Sequence, residues 1–225
     1  MNTPLPGRAG AALAVLAALA SAAVAQQEIV PLPEPSHDGA VSVERALRLR
    51  ESVRDFAPRP LSLQQVSQLL WAAQGVTRRD GGRTAPSAGA LYPLELYLVV
   101  GDVDGIEAGL YRYRPGNHDL EAVGPGDHRS QLAAAAVRQT WMRDAPVILV
   151  LAAVYARTTG KYGERGRKYV HMEVGHAAQN VYLETAALGL GTTFVGAFND
   201  NQVKGILGLP ASEHPLGLMP VGWPN

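Results

Sequence analysis

Apolar residues along this chain recur with two different periods, and each period predicts a different element. After Ser62 and Gln65, which form an S-x-x-Q capping box, Val66, Leu69, Leu70 and Ala73 repeat at helical spacing. A helix is expected there, with Gly75 as a left-handed residue at its end. Ser42 is placed to cap a shorter helix running through Arg50. Further on the period changes. Glu95 to Val100, apolar after its first residue, and the continuous apolar run Val147 to Val154 read as buried strands. Gly109 to Val123 alternates around Pro115-Gly116-Asn117, the composition of a hairpin turn. Helices are predicted from about His128 to Arg138 and from about Lys168 to Leu188, the second ended by Gly189. A strand at Thr192 to Val195, a short helix capped by Asp200 and a last strand near Leu218 to Val221 complete the pattern. The fold class is α+β, with helices wrapped on one modest sheet.

The first 41 residues follow neither period. Arg8 is the one charged side chain in the first 25, Ala11 to Ala20 is apolar, and Ala23-Val24-Ala25 presents small residues before Gln26. This reads as a signal peptide over residues 1–25, so export to the periplasm or beyond is expected, without a stable membrane span after cleavage. Residues 26–41 carry Pro31, Pro33 and Pro35 and read as an extended linker or arm, with folded structure expected over residues 42–225. Of the 225 residues 47% are hydrophobic and 18% charged, which suits one domain with a real core. Lys plus Arg and Asp plus Glu both number 20, and no basic run is interleaved with aromatics, so nucleic acid is not an expected partner. The absence of cysteine removes disulfides, thiolate metal sites and a cysteine nucleophile.

Four stretches could carry chemistry. Arg50, Ser52 and Arg54 set two guanidiniums and a hydroxyl at alternate positions, a set that suits a phosphate if the chain is extended there. A solvated helix end is the plainer reading of the same residues. Pro86-Ser87-Ala88-Gly89 offers small residues just before a strand, where backbone can approach a planar ligand. Lys161 next to Tyr162 is a pair in which a cation can poise a phenol as acid or base, within a loop that otherwise reads as solvated. Glu173, His176 and Asn180 share one helix stripe, which either meets water or forms a buried seam against a second subunit. No third ligand with suitable spacing supports zinc. The order of Gly189-Leu190-Gly191 and Gly196, helix into strand, excludes a dinucleotide fingerprint.

In order and spacing, Arg50-x-Ser52-x-Arg54, the run Pro86 to Pro93, Glu173-x-x-His176-x-x-Gln179-Asn180 and Gly189-Leu190-Gly191 to Gly196 resemble the nitroreductase family. Within it the chain is most similar to dehydrogenases that oxidise azolines to thiazoles and oxazoles in modified peptides. The resemblance spans about Val43 to Pro224. It implies a central, mostly antiparallel sheet surrounded by helices, and a homodimer with FMN at the subunit interface. Carried over residue by residue, Arg50, Ser52 and Arg54 would hold the FMN phosphate. Pro86, Ser87, Ala88 and Gly89 would reach the ring from the other chain, and Val195 and Gly196 would border its reactive edge. Lys161 and Tyr162 would match the catalytic pair of the azoline branch. The implied chemistry is ping-pong hydride transfer through flavin N5, with NAD(P)H as one candidate donor and a small-molecule or peptide-borne substrate.

Two features depart from that pattern. The chain stops at Trp223-Pro224-Asn225 without the C-terminal cation common in the family, a role left to Arg59 or Lys204. Export also separates the domain from the cytoplasmic nicotinamide pool. Two other readings therefore stand beside azoline oxidation: a general flavin-dependent nitro or quinone reductase, and an exported binding protein that keeps the fold without catalysis.

Overall fold

The computed structural model describes residues 28–225, so the expected signal peptide and its cleavage after Ala25 lie outside the described residues. In order the elements are β1 (Ile29–Pro31), α1 (Val43–Leu49), β2 (Leu61–Ser62), α2 (Leu63–Gln74), β3 (Leu94–Val100), β4 (Val103–Asp104), β5 (Gly109–Arg114) and β6 (Asp119–Pro125). They continue with α3 (Arg129–Ala135), β7 (Val147–Ala153), α4 (Tyr155–Tyr162), α5 (Arg165–Ala187), β8 (Gly191–Thr192), α6 (Asp200–Ile206) and β9 (His214–Gly222). Seven strands form one sheet in the order β1-β6-β5-β3-β7-β9-β8, and every neighbouring pair in it is antiparallel.

The continuous apolar runs arise because β3 and β7 are covered on both faces. Leu94, Leu96, Leu98 and Val100 of β3, with Val147, Leu149, Leu151 and Ala153 of β7, point to the side packed by α2 and α5. The alternate residues Tyr97, Val99, Ile148, Val150 and Ala152 point to the side packed by α3 and α6. A period-two backbone thus feeds two cores, and the one charge in either strand, Glu95, is buried and paired with Arg112 and Arg157. On α5 the buried set Val170, Val174, Ala177, Ala178, Val181 and Thr185 keeps helical spacing and lies against the sheet. Among the described residues no helix is long and apolar enough to cross a membrane.

Local signals set most of the element ends. Ser42 accepts from the Arg45 amide, and Ser62 and Gln65 form the reciprocal capping box. Gly189 is left-handed at φ 71°, as expected. Gly75 is not: its φ is −62° and its ψ 145°. Glycine is needed there for space, because a Cβ would run into the Trp71 indole. The last short helix is capped by Asn199, one residue before Asp200, through a side chain that accepts from the Gln202 amide. The helix expected to reach Arg138 stops at Ala135, and Val137 and Arg138 turn to positive φ.

Folded structure begins earlier than the proline content suggests. Residues 29–31 pair antiparallel with β6 at the edge of the sheet, where a proline's missing donor is tolerated. Beyond them the Pro33 carbonyl accepts from Ser67 Oγ and lies 3.1 Å from His118 Nε2, and Ser36 bonds through its amide and carbonyl to Gln68. The arm is extended, but it is also part of the fold.

Candidate functional site

The first polar cluster forms where α1 ends. At Arg50 the backbone turns to ψ 121°, and the extended segment after it runs parallel to β8, with the Val53 amide 3.0 Å from the Thr192 carbonyl. Gly191 permits that approach, since a Cβ there would collide with Val53. The Arg50 guanidinium lies 5.5 Å from the centroid of the Tyr182 ring, and Ser52 Oγ lies 3.4 Å from the Tyr182 hydroxyl. The same hydroxyl accepts the Phe194 amide at 2.7 Å and lies 3.5 Å from Thr193 Oγ1. Burial pushes the Tyr182 phenol up, but its hydrogen bonds with Ser52, Thr193 and the Phe194 amide, together with the Arg50 charge, bring it below its ordinary value.

Arg50 and Arg54 form no ion pair among the described residues, so two cations and an exposed hydroxyl remain available to an anion. Val195 is buried and pairs with Leu218, while Gly196 next to it is exposed. Of the two stand-in cations, Lys204 donates to the carbonyls of Ala211 and Glu213 and is engaged there. Arg59 is stacked 3.7 Å from the Trp223 ring centroid.

The second cluster surrounds residues 86–92. Ala88 to Ala90 make one tight turn in which Gly89 has φ 65° and Ala90 φ 54°, and Tyr92 follows at φ 44°. Ser87 Oγ accepts the Tyr92 amide at 2.9 Å. Lys161 and Tyr162 do not sit in a loop: they form the last turn of α4, whose polar, glycine-containing sequence has no apolar period to announce it. A methyl group at Gly89 would lie 2.8 Å from the Tyr162 hydroxyl and 3.0 Å from Lys161 Nζ. The turn and the pair therefore meet within one chain. Lys161 Nζ is 5.5 Å from the centroid of the Tyr162 ring, which in turn meets Tyr169 of α5 edge-on at 5.2 Å.

Glu173 lies beneath this turn and is buried, with Ser87 near enough to oppose the upward push of burial on its carboxyl. The stripe of Glu173, His176 and Asn180 runs along the margin of the buried face of α5, so its members diverge. Glu173 points into its own chain, Asn180 donates to the Ala72 carbonyl of α2 at 3.0 Å, and His176 is exposed. Arg83 joins the cluster: it bonds Gln74 at 2.9 Å and stacks on Tyr92 at 4.5 Å. Sequence spacing missed Tyr182, Tyr169 and Arg83, because each reaches its partners only through tertiary packing.

The two clusters stand at opposite ends of α5. Tyr169 and Tyr182 are 13 residues apart, roughly 20 Å along a helix axis. The structure thus gathers Arg50, Ser52, Val195 and Gly196 near Tyr182, and Ser87, Gly89, Lys161 and Tyr162 near Glu173. It does not bring the two groups together within one chain. A cavity of about 440 Å³ between residues 36–41, α2 and the end of α5 is lined by none of the residues of either cluster. Among the described residues no group of three or more His, Cys, Asp or Glu side chains could hold a metal ion.

Comparison with known proteins agrees with the fold. Residues 47–223 match the model of the nitroreductase family. The chain is 50% identical over 182 residues to a provisionally named nitroreductase of Methanocaldococcus jannaschii, covering 81% of this chain and 91% of that one. A crystal structure of a Ralstonia eutropha protein, also provisionally named a nitroreductase, superposes with a TM-score of 0.77 at 33% identity, over 88% of this chain and 90% of the other. The Escherichia coli microcin synthetase complex with truncated pro-microcin B17 bound contains a chain that matches with a TM-score of 0.69 at 25% identity, over 97% of this chain and 85% of that one.

Proposed function

Because the chain belongs to the nitroreductase family, a family of oxidoreductases, we propose that it is an FMN-dependent azoline dehydrogenase acting on a peptide-borne ring as a homodimer. The observation that carries this reading is the meeting of Gly89 with Lys161 Nζ and the Tyr162 hydroxyl. It puts a phenol and a cation beside the backbone turn that is suited to a planar ligand. The residues present fit FMN. Arg50 and Arg54, unpaired among the described residues, stand two positions to either side of Ser52 and with it make a donor set for a phosphate, and Ser87 to Gly89 offer close backbone for a ring. Bound there, FMN supplies two-electron redox chemistry.

The protein's own groups do the rest. Tyr162 takes the proton released from the azoline ring, Lys161 keeps the phenol poised, and the Arg50 cluster anchors the phosphate. The separation of the two clusters along α5 supports a site assembled from two chains, in which the phosphate end of one subunit faces the turn of its partner. A second reading, general nitro or quinone reduction, draws support from the identity shared with the archaeal relative.

The purified protein is expected to carry yellow FMN, identified by mass after release, and to be bleached anaerobically by an azoline-bearing peptide. Bleaching by NADPH together with inertness toward azolines would favour the general reductase. No flavin after reconstitution would leave a non-catalytic binding protein.

A further inference from the structure

A carboxylate that is 2% exposed is uncommon unless it is paired, and Glu173 is not paired among the described residues. Its Oε1 has no hydrogen-bond partner among the described residues. Arg83, whose charge acts on it, is already bonded to Gln74 and stacked on Tyr92. Among the described residues two other buried side-chain atoms also lack a partner, Gln74 Nε2 on α2 and Thr158 Oγ1 on α4. Of the three, Glu173 lies on the helix that packs against the turn at residues 87–92, and a buried carboxylate left without a partner calls for a reason other than stability.

The turn is itself strained. Ala90 and Tyr92 both hold positive φ, which residues with a Cβ rarely adopt unless the surroundings over-determine them. Ser87 is central to that restraint. Its oxygen accepts the Tyr92 amide, and its hydroxyl proton is free to go to Glu173. The Arg83 amide also donates to the Tyr92 hydroxyl, and Arg157 donates to the Tyr92 carbonyl. We propose that Glu173 is a positioning residue for the Lys161–Tyr162 pair: through Ser87 it holds the strained turn that sets Gly89 against both side chains. The proposal rests on the function given above and deepens it.

The state of Glu173 decides the direction of the hydrogen bond. As a carboxylate it only accepts, so Ser87 donates to it. As a neutral acid it carries its own proton and can reverse that bond. Burial pushes the group up to about 7, against the opposing pull of Ser87 and Arg83. The charged group that acts on it from outside its helix is Arg83, and on its own helix Tyr169 and His176 stand about one turn away on either side. The consequence for stability follows from the sign of the shift. A carboxyl raised from 4.5 to about 7 favours the folded state while protonated in it, so stability falls as pH rises through that window.

The test is Glu173→Gln in the flavin-loaded protein. Above pH 7 the variant is expected to melt higher than the parent, with the gap closing as pH falls toward 4.5. Azoline oxidation is expected to fall on the order of tenfold to a hundredfold in kcat. The parent's rate should rise with pH through about 7, and the variant should lack that limb. The Gly89 amide resonance of the parent, followed by NMR in glycine-labelled protein, should move with the same inflection and stay still in the variant. A parent Gly89 signal without that inflection, or a variant less stable and slower with an unchanged pH profile, would overturn the proposal. If the parent shows the inflection but never oxidises azolines, the positioning role stands and the proposed substrate falls.

Discussion

Replacing Tyr162 by phenylalanine is expected to lower azoline turnover by about 10²–10⁴-fold, the usual contribution of a well-placed acid or base. The change removes one oxygen. The ring keeps its edge contact with Tyr169, and the half-buried position leaves packing almost unaltered. Flavin content and melting temperature should therefore match the parent. Reduction of a simple quinone, which needs no proton taken from a ring carbon, should change only a few-fold. Lys161→Ala should follow the same division, since its ammonium group lies beside the phenol and takes part in no ion pair among the described residues. The comparison requires two assays on one preparation: oxidation of an azoline peptide, read as the loss of two hydrogens by mass, and quinone reduction, read by absorbance. Equal losses in both would remove Tyr162 from a specialised role and leave a general reductase.

The other large effect belongs to the phosphate end. Hydrogen bonds to a charged group are worth about 1.5–3 kcal/mol, so Arg50→Ala or Arg54→Ala should each weaken FMN binding by roughly 10–100-fold. The double variant should be purified without flavin. Neither guanidinium balances a carboxylate among the described residues, so the fold should tolerate both changes. Arg50 also covers the Tyr182 ring, which makes its loss the more damaging of the two. Ser52→Ala removes only a neutral donor and should cost less, about tenfold or under. Quenching of FMN fluorescence on titration measures all four variants. A double variant that binds like the parent would send the phosphate elsewhere, with Arg59 on Trp223 the first place to look.

What the sequence made legible was local. Ser62 with Gln65, Ser42, the Pro115-Gly116-Asn117 turn and Gly189 act through groups a few residues away, and the structure places each at an element end or turn as expected. What it hid depends on distant partners. The arm at residues 29–31 becomes a strand because β6 offers an open edge, which no pattern within the arm itself records. Gly75 answers to the width of the Trp71 indole rather than to a left-handed turn. The candidate site divides in the same way. The runs holding Arg50, Ser52, Arg54 and Ser87 to Gly89 could be picked out by residue type. Tyr182, which ties Ser52 to the Phe194 amide, carries no signal in its own neighbourhood. Glu173 could be placed on a helix stripe but not sent inward, because the stripe follows the margin of the buried face and only packing decides which side of that margin a residue takes.

Gly89 meets Lys161 and Tyr162 within one chain, while Arg50 lies against Tyr182 toward the other end of α5, so in the proposed dimer each site would draw one cluster from each subunit. A shared site of this kind would behave as two interchangeable halves. Mixing a subunit that lacks Arg50 and Arg54 with one that lacks the Tyr162 hydroxyl would place both lesions in one site and leave its twin built wholly from intact halves. Two inactive proteins would then complement each other on subunit exchange, and the recovered activity would count the mixed dimers.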